Sequence, residues 1–270
     1  MITHNKKDIS MQRNEHAHHR NSLFPAIKRW VKSKSHTVVV KNPNCIPHED
    51  NIDILFIHGT ADREACFKEM TKKLKPKLPS NISSMHRLSF HHRFQGTSIE
   101  DFVNQVLDYA VANKLKHIVI VGHSRGGLVA HYAKILAKKR GLDISVDASV
   151  AICAPFLGAK SASSPLQLFS TSVREMKENS SFLQKLNKEL DAFDNEAFYY
   201  IGARHDKLVT ADSACRGHIP DTNCAVFDGD HLYQPISDAC IDHVNGILHN
   251  ISKQPIQQIS YAGSKAELNT

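Results

Sequence analysis

The stretch HIVIVGHSRGG, His117 to Gly127, decides how the whole chain is read. Five mostly apolar residues rich in β-branched side chains form a strand pattern. Beyond the glycines, Leu128, Tyr132 and Ile135 recur at helical spacing, and Gly141 supplies a C-terminal cap. A buried strand must therefore reverse into a helix within a few residues, with Ser124 at the bend. In a Gly-x-Ser-x-Gly turn the central residue is strained and its side chain stands out at the carboxyl edge of the sheet. Gly122 and Gly126 are needed because a Cβ there would collide with neighbouring backbone. The bare pentapeptide is common by chance, but its setting between a strand and an amphipathic helix is specific. The alternative is that Ser124 only caps the helix.

Outward from this bend, strand and helix patterns alternate. Apolar runs occur at 51–59, 83–90, 146–155, 197–206 and 223–231, and HTVVVKN (36–42) suits an antiparallel edge strand. Near-continuous apolar runs fit strands covered on both faces. Helices are predicted over 98–115, where Ser98 and Asp101 have capping-box spacing, over 126–140, and over 235–248. The pattern predicts an α/β fold with a doubly wound, mostly parallel sheet. Nearly forty residues after CAPFLG (153–158) lack a strand, and Leu183, Leu186 and Leu190 within them share helical spacing. This stretch, about 159–195, reads as a helical cap or lid insertion. Residues 1–35 read as a mobile polar leader rather than a metal site at His16, His18 and His19. The α/β domain would span 36–251, and 252–270 would be a polar tail.

The totals narrow the function classes. The chain has 270 residues, a 41% hydrophobic and a 23% charged fraction, as in ordinary globular domains. No apolar run reaches the roughly 18 residues of a membrane span. The first residues, MITHNKKDISMQRNEHAHHRNS, lack the apolar centre of a secretory signal. The expectation is a cytoplasmic protein, or one exported without such a signal. The net charge of +7 serves solubility or draws the protein to an anionic membrane surface. No nucleic-acid-binding module is recognisable. Cys66, Cys153 and Cys240 sit in apolar segments and read as reduced core residues, whereas Cys215 and Cys224 flank a loop and could be either paired or free.

A serine hydroxyl needs a base, and the base needs an orienting carboxylate. In an open parallel sheet these belong at strand carboxyl ends. Asp206, in YYIGARHDKLV (199–209), follows one strand, and His231, in AVFDGDHL (225–232), follows the next. Asp228 and Asp230 are fallback acids, although close in sequence to His231. His205, exposed in a loop, His218, His123 in the bend and His243 in a helix compete poorly as the base. The backbone N–H groups of Arg125 and of Thr60, in LFIHGTAD (55–62), are placed to hold an oxyanion.

With these residues in view the chain resembles the α/β-hydrolase superfamily, in its bacterial lipase and esterase branch, over about residues 50–250. IHGTAD resembles the oxyanion loop, GHSRGG the nucleophile elbow, GARHDKLV the acid loop and DGDH the histidine loop, in the superfamily's order of Ser, Asp, His. VREMKENSSFLQKL (173–186) resembles a segment of lipases akin to the glycosylphosphatidylinositol-inositol deacylases. Phe156 departs from the pattern, standing where many such lipases have His. The resemblance implies ester hydrolysis through an acyl-enzyme, with Ser124 as nucleophile, His231 as base and Asp206 as acid, and with no cofactor or metal. Leu166, Leu168 and Phe169 either line an acyl-chain site or pack the insertion onto the core. Lipid esters are the expected substrates. A thioesterase or acyltransferase is the enzymatic alternative, and an inactive binding protein of the same fold is the other.

Overall fold

The computed structural model describes residues 36–60, 62–90, 96–160, 170–193, 197–217 and 223–253. The expected leader, nearly all of the expected tail, and Leu166, Leu168, Phe169 and His218 lie outside these residues. The strands are β1 (Val38–Lys41), β2 (Ile52–Ile57), β3 (Ile82–Leu88), β4 (His117–His123), β5 (Ser145–Ile152), β6 (Phe198–Ala203) and β7 (Cys224–Phe227). They form one sheet in the order β1-β3-β2-β4-β5-β6-β7. β1 pairs antiparallel with β3 at the edge, and every other pairing is parallel.

The helices are α1 (Lys68–Leu74), α2 (Ile99–Ala112), α3 (Arg125–Lys139), α4 (Thr171–Glu175), α5 (Ser181–Ala192), α6 (Ala211–Ala214) and α7 (Asp238–Ser252). All six residues of β2 are buried because both faces of the sheet are covered. Leu55 and Ile57 join Ile118 and Ile120 under α2, α3 and α5. Their alternates Ile54 and Phe56 join Val119 and Val121 under α1 and α7. The expected doubly wound layer is thus realised in side-chain parity.

Three local features differ from the sequence reading or refine it. α2 does begin at a full capping box: Ser98 Oγ accepts from Asp101 N at 3.1 Å, and the Asp101 carboxylate accepts from Ser98 N at 2.8 Å. α7 starts at Asp238 rather than Pro235, because Ser237 caps it and Gln234–Ile236 form a separate 3-10 turn. α1, flanked by 3-10 turns over Glu64–Phe67 and Lys75–Lys77, was not singled out from the sequence.

The expected insertion divides into two parts. α5 buries Leu183, Leu186 and Leu190 and packs on α3, as the crossover helix between the parallel strands β5 and β6. Three buried leucines contribute about 1.5–3 kcal/mol each. The exposed Lys139–Glu189 pair contributes at most about 1 kcal/mol, so apolar burial docks this helix. α5 therefore belongs to the layer. Among the described residues, only the short α4 and its neighbours remain of the expected cap. Among those same residues, no helix is long and apolar enough to cross a membrane.

Candidate active site

β3 and β4 lie on opposite sides of β2, so the direction of winding reverses there. Such a switch point opens a crevice at the strand carboxyl ends. Ser124 stands at that place, directly after β4. Its φ of 56° and ψ of −125° lie in a region that costs a non-glycine residue roughly 1–3 kcal/mol. The strain is held by close packing. A Cβ on Gly122 would sit 2.0 Å from the Gly126 carbonyl oxygen, and one on Gly126 would sit 2.2 Å from that of Ile57. Ser124 N donates to the Ile152 carbonyl at 2.8 Å, which ties the bend to the end of β5. Ser124 is the only partly exposed residue between Ile118 and Ala137.

The loop after β2 backs against the serine. A Cβ on Gly59 would lie 2.9 Å from Ser124 Cβ. His58 is buried, with Nδ1 at 2.9 Å from the Gly59 carbonyl and its ring 5.3 Å from that of Phe90. Thr60 follows in this loop and is half-buried. The Arg125 side chain is also buried. Its guanidinium stacks 4.0 Å above the Phe102 ring and donates to Ser172 Oγ at 3.2 Å. The sequence pointed only to the backbone of Arg125 and gave no sign of this link to α4.

β6 and β7 are neighbours, so the loops that follow them meet. Asp206 Oδ2 lies 2.6 Å from His231 Nδ1. The Asp206 side chain is fully buried, and its Oδ1 accepts from Leu208 N at 2.8 Å and Val209 N at 2.9 Å. With Nδ1 donating to Asp206, neutral His231 carries its lone pair on Nε2.

The fallback acids are placed elsewhere. Asp228 is exposed and pairs with Arg204 at 2.7 Å. Asp230 Oδ1 accepts from Leu232 N and Tyr233 N, holding the turn that carries His231. His205 is exposed and His243 lies in α7.

Two further residues touch this arrangement without having been singled out for it. His123 Nε2 lies 2.9 Å from the His231 carbonyl oxygen, and the two rings are 4.8 Å apart, so the bend and the histidine loop are joined directly. Cys153, just past β5, has ligand-type atoms of Asp206 and His231 within 4.8 Å of its sulfur. Burial first, then the nearby Asp206 charge, pushes its thiol well above the usual range, so it stays protonated. Cys153, Asp206 and His231 are the one grouping of metal-ligating types found among the described residues. The oxygens of Asp206 are already engaged by two amides and an imidazole.

Cys66, Cys153 and Cys240 are buried and outside any disulfide, while Cys215 and Cys224 are joined in one. That bond links the end of α6 to the start of β7, the strand leading to His231.

Comparison with known proteins agrees with this architecture. The peroxisomal alpha-beta-hydrolase Lpx1 of Saccharomyces cerevisiae superposes with a TM-score of 0.61, covering 83% of this chain and 91% of that one at 12% identity. The mature lipase BlEst2 of Bacillus licheniformis gives a TM-score of 0.56, covering 80% of this chain and 99% of that one at 12% identity. A Mycoplasma pneumoniae protein, whose description as esterase/lipase 2 is itself provisional, is 27% identical over 99 residues. That match spans 35% of this chain and 36% of the relative. The sequence pattern described as "Alpha/beta hydrolase family" matches residues 54–237, well over half of the chain, from within β2 to past His231. With that match and a mostly parallel sheet wound about the bend at Ser124, the chain belongs to the alpha/beta hydrolase family.

Proposed function

We propose that the protein is a carboxylic ester hydrolase that uses Ser124 as nucleophile, His231 as general base and Asp206 as orienting acid. The observation that carries this reading is the 2.6 Å contact between Asp206 and His231 at the strand edge where the strained Ser124 turn also stands. In the proposed cycle His231 Nε2 takes the hydroxyl proton as Ser124 Oγ attacks the ester carbonyl. The amides of Thr60 and Arg125 hold the oxyanion. His231 then protonates the departing alcohol, leaving an acyl-enzyme, and water repeats the steps to free the acid.

Lipid acyl esters are the substrates we favour. Leu157 and Leu208, exposed by 40% and 39%, lie on strand-end loops joined by a bond from Lys160 N to the Leu208 carbonyl. Leu208 is two residues from Asp206, so an acyl chain would meet apolar surface beside the proposed acid. The exposed Lys160 and Lys207 on the same loops suit approach to an anionic lipid surface.

A fluorophosphonate probe tests the nucleophile. The native protein is expected to label, and Ser124→Ala is expected not to. Equal labelling of both would remove Ser124 from the reaction. A nitrophenyl ester series of rising chain length tests the substrate class, and a rate that falls steadily beyond acetate would argue against lipid esters. Preferred turnover of acyl thioesters would point to the thioesterase alternative, and acyl transfer to an added alcohol to the acyltransferase. Neither labelling nor turnover would leave a binding protein of the same fold.

A further inference from the structure

Cys153 has a backbone φ of 50°, a left-handed conformation that glycine would adopt without strain. It is fully buried at the carboxyl edge of the sheet. Ser124 shares both the positive φ and the edge position. Cys153 has its thiol beside the loop that follows β6. Its own amide donates to the Ile201 carbonyl at 2.7 Å, which fixes the residue against β6. The sulfur lies within 4.8 Å of both an Asp206 oxygen and a His231 ring nitrogen.

A carboxylate has four acceptor directions. On Asp206 two are taken by the Leu208 and Val209 amides and one by the imidazole. A cation at this place would have to displace these donors and the thiol proton. A protonated thiol instead supplies a fourth donor where one direction remains. We infer that Cys153 is a positioning residue, whose S–H donates to the Asp206 carboxylate and so sets how strongly that carboxylate holds His231. Burial keeps the thiol protonated, so it acts as a donor across the working pH range. The inference rests on the proposed hydrolase chemistry for its kinetic readout, but not for its spectroscopic one.

The test compares native protein with Cys153→Ala, Cys153→Gly and Cys153→Ser. Removing a donor makes the carboxylate a stronger acceptor, so it holds a proton on the imidazole more firmly. In Cys153→Ala and Cys153→Gly the acid limb of kcat/KM is expected to move upward by about half a pH unit, with kcat lower by about 3–10-fold and KM unchanged. The Nδ1 proton resonance of His231, read in full-length protein with labelled histidine, is expected to move downfield. Cys153→Ser keeps a donor and is expected to restore both. Cys153→Gly loses packing too but relieves the left-handed backbone, so it offers a second folded background if strain destabilises the alanine variant. An unmoved acid limb and an unmoved resonance in the glycine variant, whatever its thermal midpoint, would overturn the inference and leave Cys153 a packing residue. If native protein neither labels nor turns over, the hydrolase reading falls, and the resonance alone decides the role of Cys153.

Discussion

Asp206 illustrates how much one side chain is asked to do. Its Oδ1 organises the loop through Leu208 and Val209, while its Oδ2 faces His231. Asp206→Asn separates the two tasks. The amide oxygen can still accept from both backbone donors, so the thermal midpoint is expected to change little. The amide nitrogen can only donate, so His231 Nδ1 must become an acceptor and Nε2 carries the proton. A base in that tautomer cannot deprotonate Ser124, and kcat is expected to fall about 10³–10⁴-fold. Ester turnover and a thermal melt on the same preparation check both parts. Near-native turnover would move the acid role away from Asp206. From sequence alone Asp206, Asp228 and Asp230 all stood near enough to be weighed. What separates them is sheet order, since β6 and β7 are neighbours and their following loops converge. The link between Cys153 and Asp206, residues 53 positions apart, had no local signal to announce it.

Elements were legible where one periodicity acted alone. The β-branched run before Gly122 and the capping box at Ser98 each follow from local chemistry. α1 shows the opposite case. Phe67, Met70 and Leu74 are all buried at helical spacing, yet the run is lysine-rich, interrupted by Pro76 and without a side-chain cap. Competition between caps explains the start of α7: Pro235 suits a first helical turn, but Ser237 Oγ accepts from Cys240 N and fixes the boundary later. The starts of β4 and β5 are clasped by a polar group that periodicity does not mark. His117 Nδ1 lies 3.2 Å from Asp147 Oδ2, and Ser145 Oγ donates to Asp147 at 2.5 Å. The bond to Asp147 raises the His117 pKa above its ordinary value, with burial opposing and the Asp147 and Asp50 charges assisting. A raised folded-state value means that protonated His117 stabilises the fold. That contribution is complete below the unfolded value of about 6.5 and disappears as pH rises through the folded value. His117→Gln is therefore expected to lower the thermal midpoint more at about pH 5.5 than at about pH 8.5. A gap that is equal at both values would mean that the charge of His117 plays no part in the clasp.

At the scale of the molecule, the doubly wound sheet and the convergence of three distant loops follow from alternation and the bend at Ser124. Covalent closure does not follow from them, because a cysteine pair needs proximity that spacing alone cannot establish. The Cys215–Cys224 disulfide spans nine residues and joins the loop region after Asp206 to β7. β7 is an edge strand, half-buried along its whole length and paired only with β6 among the described strands. Such a strand has little apolar burial to hold it. The disulfide compensates by limiting the freedom of the unfolded chain, which for a loop of this size corresponds to about 2–3 kcal/mol. Its position also matters for the site, because β7 delivers His231 to Asp206. The paired substitution Cys215→Ser with Cys224→Ser is expected to reduce unfolding free energy in urea by that amount, and reductant is expected to do the same to the native protein. Because the loosened strand carries the proposed base, kcat is expected to fall further than stability alone requires, even where the variant is fully folded. A stability loss with unchanged kcat would show that the Asp206–His231 contact and the turn at Asp230 hold the histidine without help from the disulfide. Unchanged stability under reductant would mean that the bridge does not form in solution, and that β6 pairing suffices to seat the strand.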